Sequence, residues 1–237
     1  MIETFDAMAG RIDQLWRKNE DAAQALSQVA KQVLTEFSAQ LDKLDPGSLA
    51  EAALRMDRPQ FKVESPFGDP PVTWFMGDGY VIESYYWMRN TTSVHDHSFS
   101  GAWCTLLGSS VHRQFRFTMH QELTSSLSVG HLEQLSQERL LPGDVRMIVP
   151  GNDFIHDLFH LEQPTLTLII RSCSSSKDSG LARQREYIGF GATAFAWQSF
   201  SRPSNERLSE RLLTSLATVD QPLAMRLFDG LVEKSSP

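Results

Sequence analysis

All seven histidines of this 237-residue chain lie between His95 and His160. Imidazole is the commonest side-chain ligand for transition metals, so histidines confined this tightly point first to a metal centre. His95 and His97 flank Asp96. Residues two apart on a strand share a face, so both imidazoles would point one way and Asp96 the other. Two imidazoles so placed can share one ion, and a third ligand must come from a neighbouring strand. His156, which follows Gly143, Pro150 and Gly151, is the natural candidate. His160 has the parity of His156 and could replace or support it. A two-histidine, one-carboxylate ferrous arrangement would need Asp96 or Asp157, and strand alternation argues against both. Phe99, Gly101 and Trp103 share the parity of His97 and would wall the pocket. His112, just past Gly108, would line the interior and is a candidate catalytic residue. His120 and His131 flank an expected loop and are read as solvated. Cys104 has the opposite parity, so a catalytic thiol is not expected.

The elements that must position these residues follow from periodicity. Apolar residues recur at helical spacing from Phe5 to Leu44, and Lys18-Asn19-Glu20-Asp21 divides the run, with Asn19 as a cap. This stripe would pack against a barrel or a dimer partner. Asp45-Pro46-Gly47 stops it, and Ser48 with Glu51 reads as a capping box opening a short helix to about Met56. From Phe61 to about Cys173, short β-rich runs alternate with turns such as Gly77-Asp78-Gly79 and Pro142-Gly143-Asp144. The expected strands are Val72–Met76, Tyr80–Met88, Ser93–Leu107, Val111–Met119, His131–Leu140, Asp144–Val149, Phe154–His160 and Leu166–Ser172. That many antiparallel strands imply a sandwich, a barrel or a jelly roll. The aromatic stretch from Tyr187 to Phe200 has no clear class. Ser204 would open a helix through Leu216, and Asp220 another that Gly230 ends. The expected division is a helical extension at 1–58, a β-barrel core at 59–175, and a C-terminal loop and helical extension at 176–237.

Composition narrows the partners. A net charge of −7 argues against nucleic acid, since phosphate binding needs a basic face. The longest apolar runs are too short to span a membrane. Two cysteines, Cys104 and Cys173, give no disulfide framework, and no signal peptide is read at the N-terminus, so a cytoplasmic protein is expected.

His95, His97 and Gly108, followed by Gly143, Pro150 and His156, resemble the two motifs of the cupin family. The resemblance implies a mainly β, double-stranded barrel (jelly roll) with α-helical extensions at both ends. The family's usual glutamate ligand falls at Gly101, which leaves three histidines. That set is similar to the thiol dioxygenase branch, which includes cysteine dioxygenase, and it implies ferrous iron, with other divalent transition metals as alternatives. Small Gly101 would also free volume where a carboxylate would enter. The branch's Ser-His-Tyr strand is matched here by Thr167, Ile169 and Arg171, so its histidine and tyrosine are missing and cysteine is not the expected substrate. Thr167 and Arg171 would face the pocket, where Arg171, a candidate catalytic residue, could hold a carboxylate or phosphate with its two-pronged guanidinium. The reading is an iron-dependent oxygenase that takes a small polar or anionic substrate and dioxygen, with a homodimer through the helices as a further expectation. Two alternatives stay open: a non-redox zinc, nickel or manganese isomerase, lyase or hydrolase, and a non-catalytic metal-binding sensor.

Overall fold

The computed structural model describes residues 2–16, 22–56, 68, 70–88, 91–173, 185–189, 212–213 and 216–235. The N-terminal periodicity makes α1 (Ile2–Trp16) and α2 (Ala22–Glu36); the expected break at 17–21, with its Asn19 cap, lies outside the described residues. A single turn, α3 (Ser38–Leu41), precedes α4 (Pro46–Arg55). The cap of α4 is Asp45, not Ser48: the Asp45 carboxylate accepts the Ser48 N–H at 2.7 Å, and Pro46 occupies the first turn, where its missing N–H costs nothing. Glu51 pairs with Arg55 one turn on instead of closing a capping box.

The strands are β1 (Pro71–Met76), β2 (Tyr80–Trp87), β3 (Gly101–Leu107), β4 (Ser110–Thr124), β5 (Leu127–Leu140), β6 (Val145–Ile148), β7 (Ile155–His160), β8 (Thr165–Ser172) and β9 (Glu186–Gly189). They form a five-stranded sheet in the order β1-β2-β8-β3-β6 and a four-stranded sheet in the order β7-β4-β5-β9. Every pairing is antiparallel except β5 with β9. This is a mainly β, double-stranded jelly-roll barrel with helices at both ends. A last helix, α5 (Gln221–Ser235), begins where the Asp220 carboxylate accepts the Leu223 N–H at 2.9 Å, and it runs through Gly230 rather than ending there. Most of the helix expected from Ser204 lies outside the described residues.

The five-stranded sheet is buried on both faces, and alternation sorts its residues. Tyr80, Ile82 and Tyr86 of β2, Ala102 and Cys104 of β3, and Leu166, Leu168 and Ile170 of β8 share one core with Phe5, Met8 and Ile12 of α1 and Leu26, Ala30 and Val33 of α2. The helical stripes are therefore used on the barrel's own outer face, and Ser27 fixes α2 to β6 by donating to the Ile148 carbonyl at 2.6 Å. The opposite parity, including Tyr85, Trp103 and Ile169, faces inward with Leu140, Phe154 and Leu158.

Three boundaries differ from expectation in ways that matter for the site. Residues 91–100 form no strand and carry only isolated β-bridges, at Thr91 and His95. The β4–β5 hairpin runs on to Thr124 and Leu127, so His120 and His131 lie on strands rather than beside a loop, though both are exposed. Finally, the unclassed aromatic stretch contributes β9.

Candidate metal centre

The loop bearing His95 and His97 is held from three sides. His95 exchanges both backbone hydrogen bonds with His156, at 2.9 Å each, so a ligand on the loop is registered directly against a ligand on β7. Gly151 N–H donates to the His97 carbonyl at 2.8 Å. Asp96 faces the other way, as expected, and its carboxylate accepts the Arg185 N–H at 2.7 Å and the Tyr187 hydroxyl at 2.8 Å. That hydroxyl also lies 2.8 Å from the Asn152 side chain.

His95, His97 and His156, all buried, each offer a ring nitrogen, and these atoms lie within 4.8 Å of one another. No carboxylate belongs to this group among the described residues. His95 Nδ1 is 2.8 Å from the Ser93 carbonyl, which can only accept, so the proton sits on Nδ1 and Nε2 keeps its lone pair. The Nε2 atoms of His97 and His156 are 2.8 Å apart. Two nitrogens bound at about 2.0–2.1 Å would lie about 2.9 Å apart at right angles and about 3.4 Å apart in a tetrahedron. At 2.8 Å the two nitrogens are close enough to share one ion or one proton. Burial is the main cause that lowers the pKa of all three: His95 falls to about 4, and His97 and His156 lie well below the ordinary value, each lowered further by its neighbouring histidines. Neutral imidazole is the form that ligates, so the donor set fits a divalent transition metal.

His112 stands behind His156 rather than facing a substrate. Its Nε2 is 3.0 Å from His156 Nδ1 and its Nδ1 is 3.0 Å from Glu138 Oε1, so both ring nitrogens are engaged. His160 is buried elsewhere in the barrel, with Nδ1 2.8 Å from the Ser110 hydroxyl and its ring stacked on Trp87 at 4.8 Å, and it takes no place in the ligand group. Phe99 and Trp103 stand beside the imidazoles, with ring centroids 4.7 Å from His97 and 5.6 Å from His156 respectively. Thr167 faces inward, but its hydroxyl already accepts the Trp87 indole N–H at 2.9 Å.

Two expectations require correction. Gly101 does not open volume toward the metal: an added Cβ would sit 2.2 Å from the Ile170 carbonyl oxygen, because β8 crosses too closely for any side chain. Nor is the whole guanidinium of Arg171 offered to an anion. Its Nε donates to Glu83 at 2.8 Å and to the Tyr85 hydroxyl at 3.1 Å, so a buried carboxylate already compensates its charge. Burial would lower the pKa of Arg171, but Tyr85 and Glu83 more than offset this and raise it. The remaining edge bears Nη2, buried and without a hydrogen-bond partner, and the guanidinium carbon lies 5.3 Å from the Phe99 ring centre. Glu83, Tyr85 and Glu138 escaped the sequence reading. The signal for Glu83 was a single charged residue, in phase with Tyr85 and Trp87, inside a strand buried along nearly its whole length.

No family model matches the chain, and no curated protein does. Solved structures do. A hydroquinone 1,2-dioxygenase, PnpCD, in complex with Cd2+ and 4-hydroxybenzonitrile is 13% identical, with a TM-score of 0.34 over 62% of this chain and 81% of that one. A protein with a double-stranded β-helix domain from Klebsiella pneumoniae is 13% identical, with a TM-score of 0.32 over 53% and 96%. A variant oxalate decarboxylase from Bacillus subtilis is 13% identical, with a TM-score of 0.31 over 45% of this chain and 24% of that one. At these values the likenesses bear on neither the ligand nor the reaction of this chain, whose assignment rests on its own barrel topology and its three-histidine group.

Proposed function

We propose that this protein is a non-haem, ferrous-iron-dependent oxygenase that acts on a small polar or anionic organic substrate with dioxygen. The observation that carries this reading is the donor set: three buried imidazoles with no carboxylate among them, the Nε2 atoms of His97 and His156 only 2.8 Å apart. Three neutral imidazoles would leave the charge of a bound ion uncompensated and positions on it open for substrate and dioxygen. When bound, ferrous iron would supply the redox chemistry toward dioxygen.

The chain's own residues do the remaining work. His95, His97 and His156 would hold the ion. Phe99, Trp103 and Phe154 surround the imidazoles with apolar surface and limit water. Arg171, fixed by Glu83 and Tyr85, turns an unpartnered Nη2 toward an oxygen acceptor on the substrate. Because Glu83 offsets the guanidinium charge, this edge selects by hydrogen-bond direction more than by net charge, which suits a carboxylate, a carbonyl or a phenolic oxygen.

The experiment is anaerobic purification with metal quantification, followed by oxygen-electrode assays on the iron-loaded protein against a panel of small carboxylates and phenols. About one equivalent of iron and substrate-dependent oxygen uptake are expected. Less than about a tenth of an equivalent of any transition metal, unimproved by reconstitution, would refute the metal centre; full loading without oxygen uptake would move the reading to a non-redox metal enzyme.

A further inference from the structure

We infer that Glu138 and His112 are positioning residues that act in series, Glu138 on His112 and His112 on His156, to keep the His156 proton on Nδ1 and its Nε2 open toward the ion. The inference rests on the reading of His156 as a ligand.

Hydrogen-bond accounting leads to it. Glu138 is clamped by Arg146, whose Nε donates to Oε1 at 2.8 Å and whose Nη2 donates to Oε2 at 2.5 Å. This contact, with His112 adding to it, holds the carboxyl down to about 2 despite partial burial. An ionised carboxylate only accepts, so His112 Nδ1, 3.0 Å away, must carry a proton. The His112 side chain is wholly buried, and Arg146 already balances the Glu138 charge, so the ring has no need of a second proton. A neutral ring has one proton, so His112 Nε2 is an acceptor. It lies 3.0 Å from His156 Nδ1, which must therefore be the donor. With its one proton placed on Nδ1 toward His112, the His156 ring keeps a lone pair on Nε2, 2.8 Å from His97 Nε2. Two lone pairs cannot face each other at that distance, so the gap must hold either a proton on His97 or a cation. Thus a charge anchored on β5 sets which nitrogen of a β7 residue faces the metal. For His95 a single backbone carbonyl does the same work; for His156, whose Nδ1 faces His112, a two-residue chain replaces it. Such outer partners raise ligand basicity and fix ring orientation.

Two measurements test this. Nitrogen-15 imidazole spectra of the metal-free protein at pH 7.5 should show His112 and His156 both as Nδ1–H tautomers. Glu138→Ala should give mixed tautomers at both rings and weaken zinc and ferrous-ion binding about 10–100-fold. Glu138→Gln, which keeps a carbonyl acceptor, should restore part of the loss. His112→Gln places an amide oxygen near the lost Nε2; it should retain most of the affinity and make Glu138→Ala nearly silent. Wild-type tautomers and affinity in Glu138→Ala would overturn the inference. So would an equal loss from Glu138→Ala in the His112→Gln background, since that would show a structural effect not routed through His112. The tautomer measurement needs no metal, so it stands even if the oxygenase reading fails.

Discussion

A Cβ at position 101 would meet the Ile170 carbonyl oxygen at 2.2 Å and the Arg171 Cα at 2.9 Å, both backbone atoms that cannot swing aside. The position where the family resemblance places a carboxylate is thus closed by the sheet itself. Gly101→Ala should cost about 1–3 kcal/mol, as overpacking does, read as a lower denaturation midpoint; a variant as stable as the parent would show that β8 can yield. Gly101→Glu should not create a fourth ligand. The Arg171–Glu83 pair behaves differently. Both groups are almost wholly buried, and breaking such a pair strands a charge. Glu83→Ala should destabilise by about 3–5 kcal/mol, whereas the double change Glu83→Ala with Arg171→Met should recover much of that. Equal losses in the single and double variants would mean that the cost comes from packing alone.

The histidine loop is organised by its neighbours rather than by strand geometry. Alternation was the sequence-based reason for His95 and His97 to share a face, yet residues 91–100 are not a strand. Their rings converge, 4.8 Å apart, because Asp96 pulls the loop outward toward Arg185 and Tyr187 while His95 pairs with His156. Charge-assisted hydrogen bonds are worth about 1.5–3 kcal/mol, so Asp96→Asn should weaken metal binding by about tenfold or more without touching a ligand. Isothermal titration would reveal it, and an unchanged affinity would remove Asp96 from the account. At α4, Asp45→Ala should cost about 1 kcal/mol in thermal or chemical denaturation as the cap is lost.

The same contrast explains what the sequence made legible. The eight central strands could be read because period-two patterning and turn residues are local signals; strand parity, the reason for grouping His95 with His97, does not apply to residues 91–100. β9 could not be read, since a four-residue edge strand is set by its partner Leu127–Gly130 and not by its own pattern. Nor could the long hairpin, whose tip, Ser125-Ser126, is a weaker turn signal than the glycines elsewhere. Glu138 remained hidden because its role depends on cross-strand register: His112 pairs with Glu138 on one side and Leu158 on the other, contacts that no spacing along the chain announces.

Across the whole molecule, buried histidines make stability depend on pH. Burial lowers the pKa of His95 and His160 to about 4 in the folded chain, from an ordinary 6.5. Between these values the unfolded chain binds more protons, so folding stability falls as pH drops from about 6.5 toward about 4 and is unaffected by these groups above that window. Urea titrations of the metal-free protein at pH 7.5, 6 and 5 should show the loss, and a flat profile would contradict the burial of these rings. Saturating zinc should raise the midpoint at pH 7.5 in a concentration-dependent way, because an ion that binds only the folded state stabilises it.

On β8, Leu166, Leu168 and Ile170 belong to the wall shared with the helices, while Thr167, Ile169 and Arg171 look into the barrel. Two texts are interleaved on one strand, and substitutions in one need not rewrite the other. Substitutions at positions 167 and 169 would alter the barrel interior while the helical layer stays as it is. Residue 171 is the exception, because its backbone rests against Gly101: there the two texts share a letter, and a change in the helical core at Ile170 reaches the guanidinium beside the histidines.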